Sequence, residues 1–497
     1  MPKIEHRFDD ATLAREGRVQ KHIVDVFEDP ARQGLLYTGT EICANPARRG
    51  GECYHALSHP GRIVAMTENR VPPEVAAKPE PSRWYRWIVL LGMSVAVYGS
   101  YYSFDYIGPL APLLSRQLHF SDSQIGLLQA VYSFPNIVTM LVCGVVIDRI
   151  GTRKSMLIFG SMVFVGLAVT ALSPSIAVMA TGRLLVGTGA EALALASNVA
   201  IARWFWRGEL SLGFGIRSSF CRLGSFSAQV SPTWAAGAYV YWQWPLLIGV
   251  GFGVFCIIGA ILYWVLDSRG EKRFELGHVA HGGKVVLRDV FGFGRSFWLI
   301  AALCVTFYGC IFPFQTFGQK LLIESRHVSP QTASLLVGME PLFSMIGMPL
   351  FGYLVDRYGR RSLFMMYGSL LIVPVFLMLA YTNIPPVIPM AMMGVAFALV
   401  PAVMWPALAY VVDRSRLGSA NGMLDAVQQL GLVVINLTIG WSNDHWLASA
   451  VNPAGYRPSM WIFSMIALAA VAFAYLLRRV ETGPHARGLE TITTERQ

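Results

Sequence analysis

Apolar runs of about twenty residues, parted by short polar loops, recur from Trp87 to Leu477. A run of about twenty is what a helix needs to cross a hydrocarbon core of roughly 30 Å. The pattern predicts twelve spans, at 86–112, 124–147, 155–173, 176–203, 211–236, 244–266, 295–322, 331–355, 363–381, 385–412, 418–441 and 459–478. The expected fold class is an all-α membrane protein of two six-helix halves, residues 83–266 and 295–479.

The remaining segments are polar. Residues 1–82 are dotted with proline, carry no apolar core of a secretory signal, and are expected to be a disordered cytoplasmic lead. Met66 opens a short stretch, TENRVPPEVAAKPEPSRW, that reads as an ordinary approach to span 1, so translation is expected to start there. Residues 267–294 form a charged cytoplasmic linker between the halves, and 480–497 a cytoplasmic tail.

Composition agrees, with 54% hydrophobic and 14% charged residues and a mean hydropathy of +0.47. Of the seven cysteines, Cys143, Cys221, Cys256, Cys304 and Cys310 fall inside predicted spans, where they act as small apolar residues and not as a disulfide framework. No metal-ligand spacing and no cofactor motif is visible, and a nucleophile–base constellation is absent, so an enzyme is not expected. The net charge of +10 comes without a basic, aromatic-laced stripe, which excludes a nucleic-acid reading. Topology accounts for it instead: with the loop after span 2 in the cytoplasm, that side collects sixteen Lys and Arg and the other side three.

Two loops repeat each other. GVVIDRIGTRK follows span 2 (Asp148, Arg149, Gly151, Arg153, Lys154) and GYLVDRYGRR follows span 8 (Asp356, Arg357, Gly359, Arg360, Arg361), with Asp148, Arg149 and Gly151 matched by Asp356, Arg357 and Gly359 at a constant offset of 208 residues. Duplicated halves with binding at their interface are a transporter architecture. Glycine allows the tight turn, and Asp with Arg can lock helix ends, so Asp148, Arg149, Arg153, Asp356, Arg357 and Arg360 are the expected gating residues.

Charges inside apolar spans are costly and usually functional. Glu191 of span 4 and Arg222 of span 5 fall within a few residues of their span midpoints, whereas Arg183 and Arg217 lie nearer the two ends. An acid and a base at one depth suit a zwitterion, with Glu191 for an ammonium and Arg222 for a carboxylate; the alternative is a permanent structural salt bridge. Asp105 stands in YYSFDYIGPLAP, a breakable stretch of span 1, either as a proton or amine site or as a group near the outer interface that caps a kink.

The loop repeats, together with Arg183, Gly187 and Gly189 in span 4, resemble the signatures of the major facilitator superfamily over about residues 87–479. Longer phrases are similar to one branch of it, the lysosomal dipeptide transporters and their bacterial relatives: YSFPNIV at 132–138, GTGAEALALASN at 187–198, WFWRGELSLGFGIRSSFCRLGS at 204–225, WLIAALCVTFYGCIFPF at 298–314 and WPALAYVVDRSRLGSANGMLDAVQQLG at 405–431. The resemblance implies dipeptide transport by alternating access, as a uniport or coupled to protons. Glu191 and Arg222 would hold the termini in a cavity lined by Tyr132, Asn136, Asn198, Tyr308, Phe312, Gln315 and Trp405. The alternative within the superfamily is a proton symporter for organic anions, of the dicarboxylate or nitrate type, using Arg183, Arg217 and Arg222 together.

Two departures from that branch stand out. Leu35-Leu36 has Ala31 where the sorting signal of the animal proteins has an acid, so a bacterial inner membrane is the expected location and a lysosomal membrane the alternative. The animal proteins work with a glycosylated partner, and nothing in the short outer loops here calls for one; a monomer in the bilayer is expected.

Overall fold

The computed structural model describes residues 36–38, 41–43, 53–55, 79–205, 209–277, 292–413, 416–484, 486 and 488–490. Contacts divide the chain into two units, Met1–Ala76 and Ala77–Gln497. In the first, strands β1 (Leu36–Thr38), β2 (Glu41–Cys43) and β3 (Cys53–His55) pair antiparallel in the order β1-β2-β3, an exception to the disorder expected over 1–82. The expected start at Met66 and half of the linker and of the tail lie outside the described residues.

The second unit is helical, and every predicted span has its helix. Span 1 begins at Arg83, where Ser82 caps the helix by accepting from the Tyr85 amide at 3.3 Å. It is built of two helices, Arg83–Asp105 and Ile107–Leu118. The break falls at Tyr106, upstream of Pro109 and Pro112, as the proline pattern leads one to expect. Span 2 is also broken, between Asp122–Ser133 and Asn136, because Pro135 has no amide hydrogen to continue the ladder. The helix Asn136–Leu172 then carries span 2 into span 3 through Gly151, at φ 80° and ψ 160°, a conformation reserved for glycine.

Spans 4 to 12 are Ile176–Trp204, Leu210–Gln229, Gln243–Arg273, Arg295–Arg326, Pro330–Tyr358, Arg361–Tyr381, Val387–Val411, Leu417–His445 and Arg457–Glu481. Length and hydropathy together qualify ten of the described helical segments as membrane-crossing; broken span 2 and the arginine-bearing span 5 are the two left out. Backbone polar groups in hydrocarbon must be satisfied internally, and the break in span 1 lies at the buried Tyr106, whose amide still donates to the Tyr102 carbonyl at 3.1 Å.

The halves meet at one end. At the end away from the Asp-Arg loops, Lys320 of span 7 pairs with Asp122 of span 2. Asn443 of span 11 donates to the other Asp122 carboxylate oxygen at 2.8 Å, and Asp444 accepts from the Asp122 and Ser123 amides, each at 2.8 Å. Gln319 of span 7 donates to Gln229 of span 5, to its carbonyl at 2.8 Å and its side-chain oxygen at 3.0 Å. These bonds hold the closed far end of the bundle; toward the loop end a Cβ on Gly144, Gly215, Gly352 or Gly418 would meet nothing within 4 Å.

The loop repeats fold as local latches. Arg153 donates from Nε to Asp267 of span 6 at 2.5 Å and pairs with Glu271, while Asp267 also accepts from Trp204 Nε1 at 2.6 Å. Asp148, Arg149 and Arg357 are exposed. In the second copy the buried arginine is Arg361, the position 208 residues after Arg153, which donates to Asp356 at 3.0 Å and to the Tyr410 hydroxyl at 3.1 Å. Arg360, expected in that role, is exposed at φ 52° and caps the start of span 9. The expectation placed the arginine one residue too early because both neighbours are arginines.

Candidate functional site

Three arginines lie within the N-terminal half of the bundle, and their hydrogen bonds separate them. Arg183 is fully buried: it donates to the Ser103 carbonyl at 2.6 Å, the Gln129 side chain at 2.7 Å, the Leu128 carbonyl at 3.3 Å and the Phe104 carbonyl at 3.4 Å. Its guanidinium also lies over the Tyr132 ring at 4.7 Å. It ties span 4 to spans 1 and 2. Close approach of span 2 depends on Gly187, where a Cβ would stand 2.1 Å from the Tyr132 carbonyl oxygen.

Arg217 is anchored more lightly, donating to Ser197 Oγ at 2.7 Å and to the Ala194 carbonyl at 3.2 Å, both on span 4. Arg222 differs. It is half-buried, donates no hydrogen bond to any described residue, and stacks its guanidinium 4.8 Å from the centroid of Phe397 on span 10. Glu191 is likewise half-buried and has neither a hydrogen bond nor an ion pair among the described residues. No salt bridge joins the two, so the structural salt bridge held open by the sequence is absent among the described residues. Glu191 interacts electrostatically with Arg217, and Tyr101 of span 1 feels both Glu191 and Arg222.

The expected lining divides. Tyr308, Phe312 and Trp405 join Phe397 in an aromatic wall from the C-terminal half: Trp405 Nε1 donates to the Tyr308 hydroxyl at 2.8 Å, Tyr308 stacks on Phe312 at 5.2 Å, and Phe312 stands 5.7 Å from Phe397. Phe312 also reaches Phe104 of span 1, edge-on at 5.4 Å. Asn198 is half-buried with its Oδ1 unpartnered. Tyr132 and Asn136 are instead buried, Tyr132 under Arg183 and Asn136 donating to the Tyr132 carbonyl at 3.1 Å. Gln315 is buried as well, with Nε2 donating to Glu340.

Asp105 is 6% exposed and ends the first helix of span 1, beside Ser225 and Gln229 of span 5. It is therefore interior, not at the water interface. Two further carboxylates went unread in the sequence, Glu340 of span 8 and Asp425 of span 11. Glu340 acts on Arg222, and Asp425 on Glu191. The rule that singled out Glu191, an acid in an apolar run, applies equally to VGMEPLF and NGMLDAVQQ. Phe397 carried no such signal, being one aromatic in an apolar span.

The arrangement has no nucleophile paired with a base, and among the described residues no cluster of His, Cys, Asp and Glu could hold a metal. It offers instead a guanidinium, Arg222, and a carboxyl group, Glu191, each half-buried and without a hydrogen bond to a described residue. The sequence pattern of the Major Facilitator Superfamily matches residues 93–322 and 314–495. The chain belongs to that superfamily. As such it is a multi-pass secondary transporter and not an enzyme. The chain is 32% identical over 369 residues to the lysosomal dipeptide transporter MFSD1 of Danio rerio, covering 72% of this chain and 80% of the relative. It is 26% identical over 320 residues to the galacturonate transporter of Dickeya chrysanthemi, covering 58% and 89%. In fold, the transporter is similar to a bacterial homologue of the human lysosomal transporter Spinster in an inward-facing, unoccupied conformation: TM-score 0.65, 16% identity, 80% of this chain and 98% of that one.

Proposed function

We propose that this transporter moves dipeptides by alternating access, with Arg222 taking the substrate carboxylate and Glu191 its ammonium. One observation carries the reading: of the three arginines, Arg222 alone donates no hydrogen bond to any described residue, and Glu191 has no hydrogen bond or ion pair there either. A guanidinium without partners accepts a carboxylate through two parallel hydrogen bonds. The aromatic wall around Phe397 and Trp405 supplies apolar surface that side chains of different shape can share.

The anion reading needs Arg183 and Arg217, and both guanidinium groups are already tied by hydrogen bonds to their own half. Glu191, a carboxylate at the depth of Arg222, also opposes a ligand whose only charge is negative and favours one that carries an ammonium. Asp105 is the group we assign to proton coupling if the transport is a symport.

Uptake into proteoliposomes with unlabelled competitors tests the reading. Dipeptides are expected to compete, and single amino acids and galacturonate to compete poorly. Competition by galacturonate and not by dipeptides overturns it.

A further inference from the structure

Arg222 reaches from one half of the transporter to the other. It belongs to span 5, and its guanidinium lies over the ring of Phe397 in span 10, 4.8 Å from the centroid. Among the described residues it donates no hydrogen bond, so the ring is the contact that places it. Arg183 is the contrast: it too lies over a ring, that of Tyr132, but four hydrogen bonds fix it without that ring.

Phe397 is itself held in place. Its side chain is fully buried, and three rings of span 7 pack against it: Phe307 stacked at 6.3 Å, and Tyr308 and Phe312 edge-on, each at 5.7 Å. Tyr308 is fixed in turn by the Trp405 indole, which donates to its hydroxyl at 2.8 Å. One turn before Phe397, span 10 presses on span 8, where a Cβ on Gly394 would stand 2.9 Å from Phe343 Cβ. A ring so packed cannot follow the guanidinium, whereas the guanidinium, on its flexible stem, can settle on the ring.

We propose that Phe397 is the positioning residue of Arg222: its ring holds the guanidinium from the opposite half and leaves the donors free for a ligand carboxylate. The inference deepens the dipeptide reading and rests on Arg222 as the group that binds the carboxylate. A guanidinium resting its flat face on a ring keeps its N–H donors at its edge, where a carboxylate takes two of them. Attraction to the ring also removes conformers that the long side chain would otherwise give up on binding. Because the two residues belong to different halves, Arg222 is placed for its ligand only while spans 5 and 10 lie together.

Binding of dialanine and of dialanine amide to the purified full-length transporter separates this role from that of an apolar wall, since the two ligands share their side chains and differ at the carboxylate. Phe397→Leu and Phe397→Met keep an apolar side chain without an aromatic face, and each is expected to weaken dialanine about tenfold while leaving the amide within about twofold. Phe397→Tyr keeps the face and is expected to stay within about threefold of wild type for both ligands. Equal weakening of both ligands by the two non-aromatic variants, or no weakening of either, overturns the proposal. A readout without substrate keeps it separate from the dipeptide reading. Phenylglyoxal modification of Arg222, followed by mass spectrometry and referred to the exposed Arg116, is expected to run at least about threefold faster in the non-aromatic variants than in the wild type. If the wild type binds neither peptide, the dipeptide reading fails, while faster modification still upholds the placement of Arg222 by Phe397. Unchanged modification overturns the proposal whichever ligand binds.

Discussion

Asp122, the first residue of the helix that opens span 2, is buried against Lys320 of span 7, and this ion pair crosses from one half of the transporter to the other. Its second oxygen accepts from Asn443, and its own amide donates to Asp444. An ion pair taken out of water in this way adds little over an apolar contact, but losing one partner leaves the other charged and unmatched, at a cost of about 3–5 kcal/mol.

Lys320→Met is therefore expected to weaken the closed end and favour states open on that side. Maleimide labelling of a cysteine placed at Gly215, where the surroundings are open at the loop end, should slow in the variant. The double change Lys320→Met with Asp122→Asn should recover much of the lost thermal stability. Unchanged labelling together with unchanged melting would show that this pair does not hold the halves.

Arg183 and Arg222 should respond in opposite ways to substitution. Arg183→Met strands four buried acceptors and is expected to lower stability by about 3 kcal/mol or more, seen as loss of folded protein in size-exclusion and melting assays. Arg222→Ala breaks no hydrogen bond to a described residue, so its melting temperature should stay near wild type while uptake falls at least about a hundredfold. Arg222→Lys should rescue poorly, because a single ammonium cannot make the paired contact.

Glu191→Gln is expected to abolish uptake of dipeptides while leaving the fold intact, since its carboxylate has no bonded partner among the described residues. Acetylating the substrate's amino terminus should cost the wild type most of its affinity and cost the Gln variant little. Equal losses in both would detach Glu191 from the ammonium.

At Gly151 the backbone has φ 80° and ψ 160°, so Gly151→Ala should destabilise by about 1–3 kcal/mol although a Cβ there would meet nothing within 4 Å. A denaturant or thermal melt reads this directly. At Gly144 the same substitution meets open space without an unusual φ and should be close to neutral.

Much of this protein was readable along the chain because a bilayer imposes local rules. A span needs its own twenty apolar residues, so span positions, the paired loops and the cost of Glu191 and Arg222 could all be seen without knowing which helices touch. The division of labour among Arg183, Arg217 and Arg222 could not be seen, because it depends on which carbonyls the packed helices bring to each guanidinium. For the same reason only the packed helices show Tyr132 lying under Arg183, Asn136 donating to the Tyr132 carbonyl, and Arg361 reaching Asp356 and Tyr410. Hydrophobicity is a property of each segment, whereas hydrogen-bond satisfaction is a property of how the segments meet.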